Sequence, residues 1–417
     1  KHLGDVHFNG DVSGYLHQLT THGTVLSEAG SVRANVTMHK PKDALYHSYS
    51  GKIISEQLNL GTLLGQEKTF GNATFDIELQ GFRYQDGKPE SYIKGIVSSL
   101  SYKQYEYHNI LLDGQYTPGG FDGKISLDDP NGSIEIEGHV ATQQAIPDYN
   151  LKATIRHFNP NRLNLTDKYQ NTDFSLNLMA DFTGHSVDDM KGRISIDSLI
   201  MKAPEPEKCY TFDHFSILAG AVPNSGEKQI KIQSSFLKGE IQGYYSYRTL
   251  PVSILKTVQH YLPSLLAADK HLSDTNNNFR FHIQIDNTEL LSKVFDVPLL
   301  LSMPASLQGY FDDSHTRIQV RAYAPEFTYK GAYYESGAFL CDNTEEGLQC
   351  QLRTNKRMKK GGMINLAVNA LAREDQLKAT INWGNNTADT FSGLIGAEAH
   401  FEKPESGEKL STRINIQ

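Results

Sequence analysis

Residues 121–140, FDGKISLDDPNGSIEIEGHV, constrain the fold of this chain more than any other stretch. Phe121, Gly123, Ile125 and Leu127 alternate with Asp122, Lys124 and Ser126. After Asp129-Pro130-Asn131-Gly132, Ile134, Ile136 and Val140 alternate with Ser133, Glu135 and Glu137. A period of two on both sides of an Asn-Gly turn predicts an antiparallel hairpin with one apolar and one polar face. Such a hairpin is not stable alone, so the question for the whole chain is what covers the apolar face.

The same rhythm runs from end to end. Val32 to Met38 and Phe75 to Leu79 show it before the hairpin. Leu151, Ala153 and Ile155 follow it, then Phe174, Leu176 and Leu178, then Ile194 and Ile196. Phe281 and Ile283, Ile318 and Val320, Ile364 to Ala370, and Leu377 to Trp383 continue it. Only a few segments break it. Pro251 to Leu272 puts Ile254, Leu255, Val258, Leu262, Leu265 and Leu266 at helical spacing, with Pro263 dividing the stretch. Asn287 to Pro298 reads as a shorter helix capped by Asn287 or Thr288. Leu60 to Leu64 and Asn159 to Tyr169 read as single helical turns. These pieces are too few to roof so many strands. The expected fold is therefore all-β: an elongated, curled, mostly antiparallel sheet with an apolar interior and a few short helices. Weak repeats of several strands plus a helical turn suggest an array. Its expected blocks are 1–148, 149–250, a helical insert with one strand at 251–298, and 299–417.

Composition removes several function classes. Of 417 residues, 38% are hydrophobic and the mean hydropathy is −0.46, which suits strands wetted on one face. The net charge is −8 with no basic block, which argues against nucleic acid as a partner. No apolar run is long enough to span a membrane as a helix. The chain opens at Lys1 on a strand-like segment, so we expect a piece of a longer protein whose anchor lies elsewhere.

Candidate chemistry is sparse. His2, His7, His17 and His22 match no metal-ligand spacing. The pairs Asp128/Asp129, Asp188/Asp189 and Asp312/Asp313 sit beside turn residues and read as turn formers rather than an acid–base pair. No nucleophile elbow, phosphate loop or dinucleotide fingerprint appears. The chain is expected to be no enzyme and to need no cofactor or metal. Tyr102, Tyr105 and Tyr107, Tyr244, Tyr245 and Tyr247, and Tyr329, Tyr333 and Tyr334 read as strand tyrosines before sugar platforms. Glycosylation sequons occur at Asn35, Asn72, Asn131, Asn164 and Asn385. Cys209 reads as a small buried side chain. Cys341 and Cys350 flank a turn. With Thr344 to Gly347 as that turn they face each other and permit a disulfide; shifted by one residue they are two separate thiols.

Longer runs carry a resemblance. HFNGDVSGYLHQLTTHGTVLSEAGSVRANVTM, YIKGIVSSLSYKQYEYHNILLDGQY, the 121–140 hairpin and YNLKATIRHFNPNRLNL resemble the TamB family of translocation and assembly modules. That family belongs to the AsmA-like superfamily, and the likeness is to its Bacteroidetes form. It covers most of the chain and is best over residues 1–200. It implies a curled sheet, taco-shaped in section, with an apolar interior. It further implies a periplasmic segment of a protein anchored in the inner membrane, carrying phospholipid between the membranes and supporting outer-membrane biogenesis. The implied partners are phospholipid and an outer-membrane assembly protein of the Omp85 type. Membrane contact would come through segments outside this chain. The chain departs from the family by showing neither the anchor nor a recognisable terminal domain. On the pattern of the residues, the lipid groove would be lined by Phe121, Ile125, Leu127, Ile134, Ile136, Leu151, Ile155, Phe174, Leu176, Leu178, Ile194, Ile196, Phe281, Ile283, Ile318 and Val320. The competing reading is a tandem β-sandwich surface module that binds glycan or protein. It requires two sheets packed face to face and exposed aromatic platforms.

Overall fold

A computed structural model describes the chain except residues 1–3, 16, 43, 85–88, 204–207, 265–274, 290, 293–296, 360, 388, 403–410 and 417. The described chain is all-β: 25 strands, from His7–Tyr15 to Ser411–Ile416, in one open antiparallel sheet. The first strand pairs only with the second and the last only with the one before it, so the sheet does not close. It divides into two compact units: residues 1–185 with 192–214, and residues 186–191 with 215–417.

In the first unit each strand pairs with its neighbour in sequence, from His7–Tyr15 to Asp173–Thr183. The expected 121–140 hairpin is present, closed by the pair Asp129–Gly132. Register shifts between Ser55 and Leu58 and between Ile155 and Phe158 mark bulges. Gln57 and His157 sit there with φ of 64° and 50°. Bulges of this kind bend a strand and strengthen its twist. Helix α1 (Leu60–Leu64) forms as expected, capped by Asn59, whose Oδ1 accepts from Thr62 N at 2.9 Å. Residues 159–165 make only turns, with Leu163 N donating to Asn159 O.

The second unit repeats the ladder from Phe215 to Ile416. It departs from a simple ladder where Leu299–Leu301 and Ala305–Asp312 both pair with Arg317–Tyr329, end to end along one edge, and at a bulge between Glu335 and Ala338, where Ser336 has a φ of 54°. Helix α2 (Leu250–Tyr261) begins with Pro251 in its first turn and ends before Pro263. Leu265, Leu266 and Leu272 of the expected helical stretch lie outside the described residues. So does much of the helix expected over 287–298; its start is one turn, with Ser292 N donating to Thr288 O.

Strand packing is substantial only between hydrogen-bonded neighbours. No second layer of strands covers either unit's sheet among the described residues. The largest fully buried side chains are Leu163, Asn159, Asn277 and Ser253. All four lie in the connections at strand ends, not on a sheet face.

Candidate functional site

Register decides which side chains share a face, because directly paired residues point the same way. Ile125 pairs with Leu112 on one side and Ile136 on the other. Ile136 pairs with Ala153, and Ala153 with Leu178. The next row runs Leu127, Ile134, Ile155, Leu176. Leu151 shares this face opposite Gly138, and Phe121 opposite Val140. Past the bulge, Phe174 pairs with Phe158. In the other direction the row continues through Ile77, Ile53 and Ala34. Ten of the sixteen residues expected from sequence therefore stand on one continuous apolar face of the first unit. Ile194 and Ile196 lie half-buried on Lys191–Ala203.

The other four expected residues belong to the second unit. Phe281 pairs with Gly309 and Gly309 with Val320, while Ile283 pairs with Leu307 and Leu307 with Ala322. Ile318 is opposite Phe311, which pairs with Phe279. The face continues through Phe339, Leu352 and Val368. It holds a cavity of about 260 Å3 walled by Leu299, Leu301, Leu307, Phe327, Phe339 and Leu352 among others, almost wholly apolar.

Most of these face residues are half-buried although strands flank them on both sides; Leu352 is exposed, and Ala153 and Phe311 are buried. Neighbouring strands cover their flanks, and among the described residues no further layer of strands buries the rest of their surface. Part of the floor is made by an arrangement that the alternation pattern does not reveal. Aromatic rings lie over glycines on neighbouring strands: Phe8 over Gly23, Phe121 over Gly114, Phe281 over Gly309, Phe327 over Gly337 and Trp383 over Gly393. A Cβ added at these glycines would stand 2.1 to 3.0 Å from the ring. The missing side chain lets the ring lie flat, which covers backbone with carbon and keeps the floor low.

The opposite face of the first unit is charged. Lys52, Glu78, Lys94, Asp113, Lys124, Glu137 and Lys152 follow one another across successive strands with alternating sign. Lys52 meets Asp76 at 2.9 Å, Lys94 meets Asp113 at 3.1 Å and Lys124 meets Glu135 at 2.8 Å. Hydrogen bonds from Tyr92 and Lys94 hold the Asp113 carboxyl below its ordinary value. A cavity of about 460 Å3 opens on this face, lined by Asp76, Glu78, Lys94, Asp113 and Lys124. Its lysines Lys94 and Lys124 are already paired with carboxylates, so it offers neither of them as a free cation to an anionic ligand.

The strand ends carry the true cores. In the first unit Tyr102, Tyr105 and Tyr107 pack together, with the last two ring centroids 4.8 Å apart. Tyr107 OH donates to Leu163 O at 2.7 Å, and Tyr105 OH donates to Asp129 Oδ1 at 2.5 Å. Burial pushes the Tyr107 phenol up to about 12. Asp129 also accepts from His108 N and Asn131 N, so this carboxylate builds the turn. In the second unit α2 lies across several strand ends. Ser253 OH donates to Asp313 Oδ2 at 2.7 Å, and Asn277 Nδ2 donates to Ser253 Oγ at 2.5 Å. Tyr261 OH bonds Asn343, and Asp375 accepts from Ser264 N and Oγ. This helix is inside out. It buries Ser253 and Thr257 and leaves Ile254 and Leu255 at 43% and 49% exposure. Tyr245 is buried against Tyr247 and Phe279, and Asp188 accepts from Ser246 and Tyr247 N. Arg357 stacks on Tyr333 with its Cζ 4.0 Å from the ring centroid.

Cys209 is exposed, which corrects the expectation of a buried side chain; it follows the start of Lys208–Ala221, beyond the end cores. Cys341 and Cys350 are direct partners across their hairpin. No protein-family model, no curated protein and no solved structure matches this chain.

Proposed function

We propose that the chain is a periplasmic segment of a bridge-like lipid-transport protein. Its apolar faces hold phospholipid acyl chains, and no side chain performs chemistry. The observation that carries this reading is the apolar face itself: continuous in register across eleven strands of the first unit, half-exposed, and without a covering layer in that unit. An uncovered apolar sheet face is unfavourable in water. Acyl chains lying on it supply about 0.8 kcal/mol per buried methylene, so a few methylenes offset a substantial penalty. Headgroups remain at the solvent edge, and no ion is desolvated. The anchor in the inner membrane and the outer-membrane assembly partner follow from the sequence resemblance and are part of the proposal.

The glycan-platform alternative has weaker support. Tyr105 and Tyr107 pack on one another, and Tyr245 is 5% exposed. Among the described residues the strands form one hydrogen-bonded sheet and not a pair of sheets.

Lipid extraction followed by mass spectrometry of the purified protein tests the proposal. Phospholipid is expected at stoichiometric or higher levels. Phe339→Asp and Leu352→Glu in the second unit, and Ile136→Glu in the first, should lower bound lipid at least tenfold with the β spectrum intact. A natively folded protein that neither carries lipid nor takes it up from vesicles overturns the reading.

A further inference from the structure

We infer that Cys341 and Cys350 form a disulfide site on the apolar face of the second unit, closed by exchange with an external disulfide. The hairpin around them has a two-residue turn, Glu345-Glu346, closed by the pair Thr344–Gly347. The closing pair of such a turn is hydrogen-bonded, and the two kinds of pair alternate away from it. Counting back through Asn343–Leu348 and Asp342–Gln349 makes Cys341–Cys350 a non-hydrogen-bonded pair. There the Cα atoms approach to about 4.5 Å and the side chains stand closest. That separation lies within the range a disulfide spans, roughly 4.4–6.8 Å. Neither strand has to move.

The surroundings assign the order of events. Cys350 is half-buried and Cys341 is buried, so an incoming disulfide reaches Cys350 first. The Cys341 thiol hydrogen-bonds to Cys350, which holds Cys341 up as the thiol and Cys350 down as the better thiolate. The Cys350 thiolate attacks one sulfur of the oxidant, expelling the other as a thiolate and forming a mixed disulfide. Cys341 then loses its proton to that thiolate and attacks Cys350 Sγ, releasing the second thiol. Two protein thiols are oxidised and one external disulfide is reduced to two thiols.

The bond encloses a short loop, so it constrains the unfolded chain less than a long-range bond would. Its effect is on register. A slip of one residue in this hairpin would put Phe339 and Leu352, which wall the apolar cavity, on opposite faces. A covalent link between Cys341 and Cys350 forbids that slip. The site does not depend on the lipid proposal, since its readout is the thiol count.

The test uses the full chain with Cys209→Ser, which removes the exposed thiol. Reduced protein is incubated with oxidised glutathione, denatured, alkylated and weighed intact. At least a tenfold loss of alkylatable thiol is expected, with the mass lowered by two hydrogens and a cross-linked peptide joining the two strands. In the Cys341→Ser, Cys209→Ser protein, Cys350 should instead retain one glutathione adduct. Two thiols that stay alkylatable, a persistent adduct on the intact pair, or links only between chains would each overturn the assignment.

Discussion

Trp383 is the only tryptophan of the chain, and its indole rests on Gly393 of the neighbouring strand, its direct register partner. Gly393→Ala is therefore a sharp perturbation of a single contact. The new Cβ would stand 2.1 Å from Cζ2, 2.5 Å from Cε2 and 2.7 Å from Cη2. A rigid ring cannot relieve three such contacts by tenths of an ångström, so it must swing off the strand. Gly393 does not have a left-handed φ, so alanine brings no backbone strain of its own. Lifting one ring face exposes on the order of 50–80 Å2 of apolar surface, or about 1–2 kcal/mol. Removing a glycine from the unfolded chain returns about 0.4–1 kcal/mol. The net expectation is destabilisation by about 1 kcal/mol, with a red-shifted emission maximum. Urea titration followed by tryptophan fluorescence reads both. In a Trp383→Leu background, followed by circular dichroism, Gly393→Ala should cost much less or become stabilising. Unchanged emission and midpoint would show that the ring does not lie on Gly393, and would remove the account of the glycine–aromatic pairs.

Other outcomes follow from the strand ends. Tyr107→Phe should cost about 1–2 kcal/mol in chemical denaturation, because the buried Leu163 carbonyl loses its donor. Asn277→Ala should speed amide hydrogen exchange throughout α2 while leaving the 305–385 strands protected, since Asn277 fastens Thr249 and Ser253 to the sheet end. Burial opposes ionisation of Asp188, but donors from Tyr247 N, Ser246 and Arg248 N outweigh it and hold its carboxyl below 3.8. A depressed folded value gives stability that is full above the ordinary value and is lost as pH falls through the folded one. Asp188→Asn should therefore flatten the loss of stability below about pH 4, measured by urea midpoints across that range.

The strands were legible because each carries its own evidence. Alternation at Ile125, Leu127, Ile134 and Ile136 fixes two strands, and the Asp129–Gly132 turn fixes their pairing. Leu60 to Leu64 and the proline-led start of α2 were readable for similarly local reasons. What stayed hidden depends on pairs of strands. Phe281 and Gly309 are 28 residues apart in the chain, and only their register shows that one lies on the other. The charge ladder from Lys52 to Lys152 is likewise invisible until seven strands are aligned. Two turns gave no Asn-Gly signal. Lys103-Gln104 and Glu374-Asp375 take positive φ at both positions, the second pair while Asp375 holds Ser264. The apolar spacing of α2 was read correctly, but which side it buries was set by Asn277 and Asp313, outside the helix.

Because nearly every strand pairs with its immediate predecessor in the chain, almost no contact waits for a distant segment to arrive. Loop closure stays short at each step, which favours rapid zipping from one end. A chain delivered slowly from its amino terminus, as during synthesis or export, could add one strand at a time to a growing edge. Its vulnerable moment is then always local: the newest unpaired edge, and not the whole molecule, is what a chaperone would need to shield.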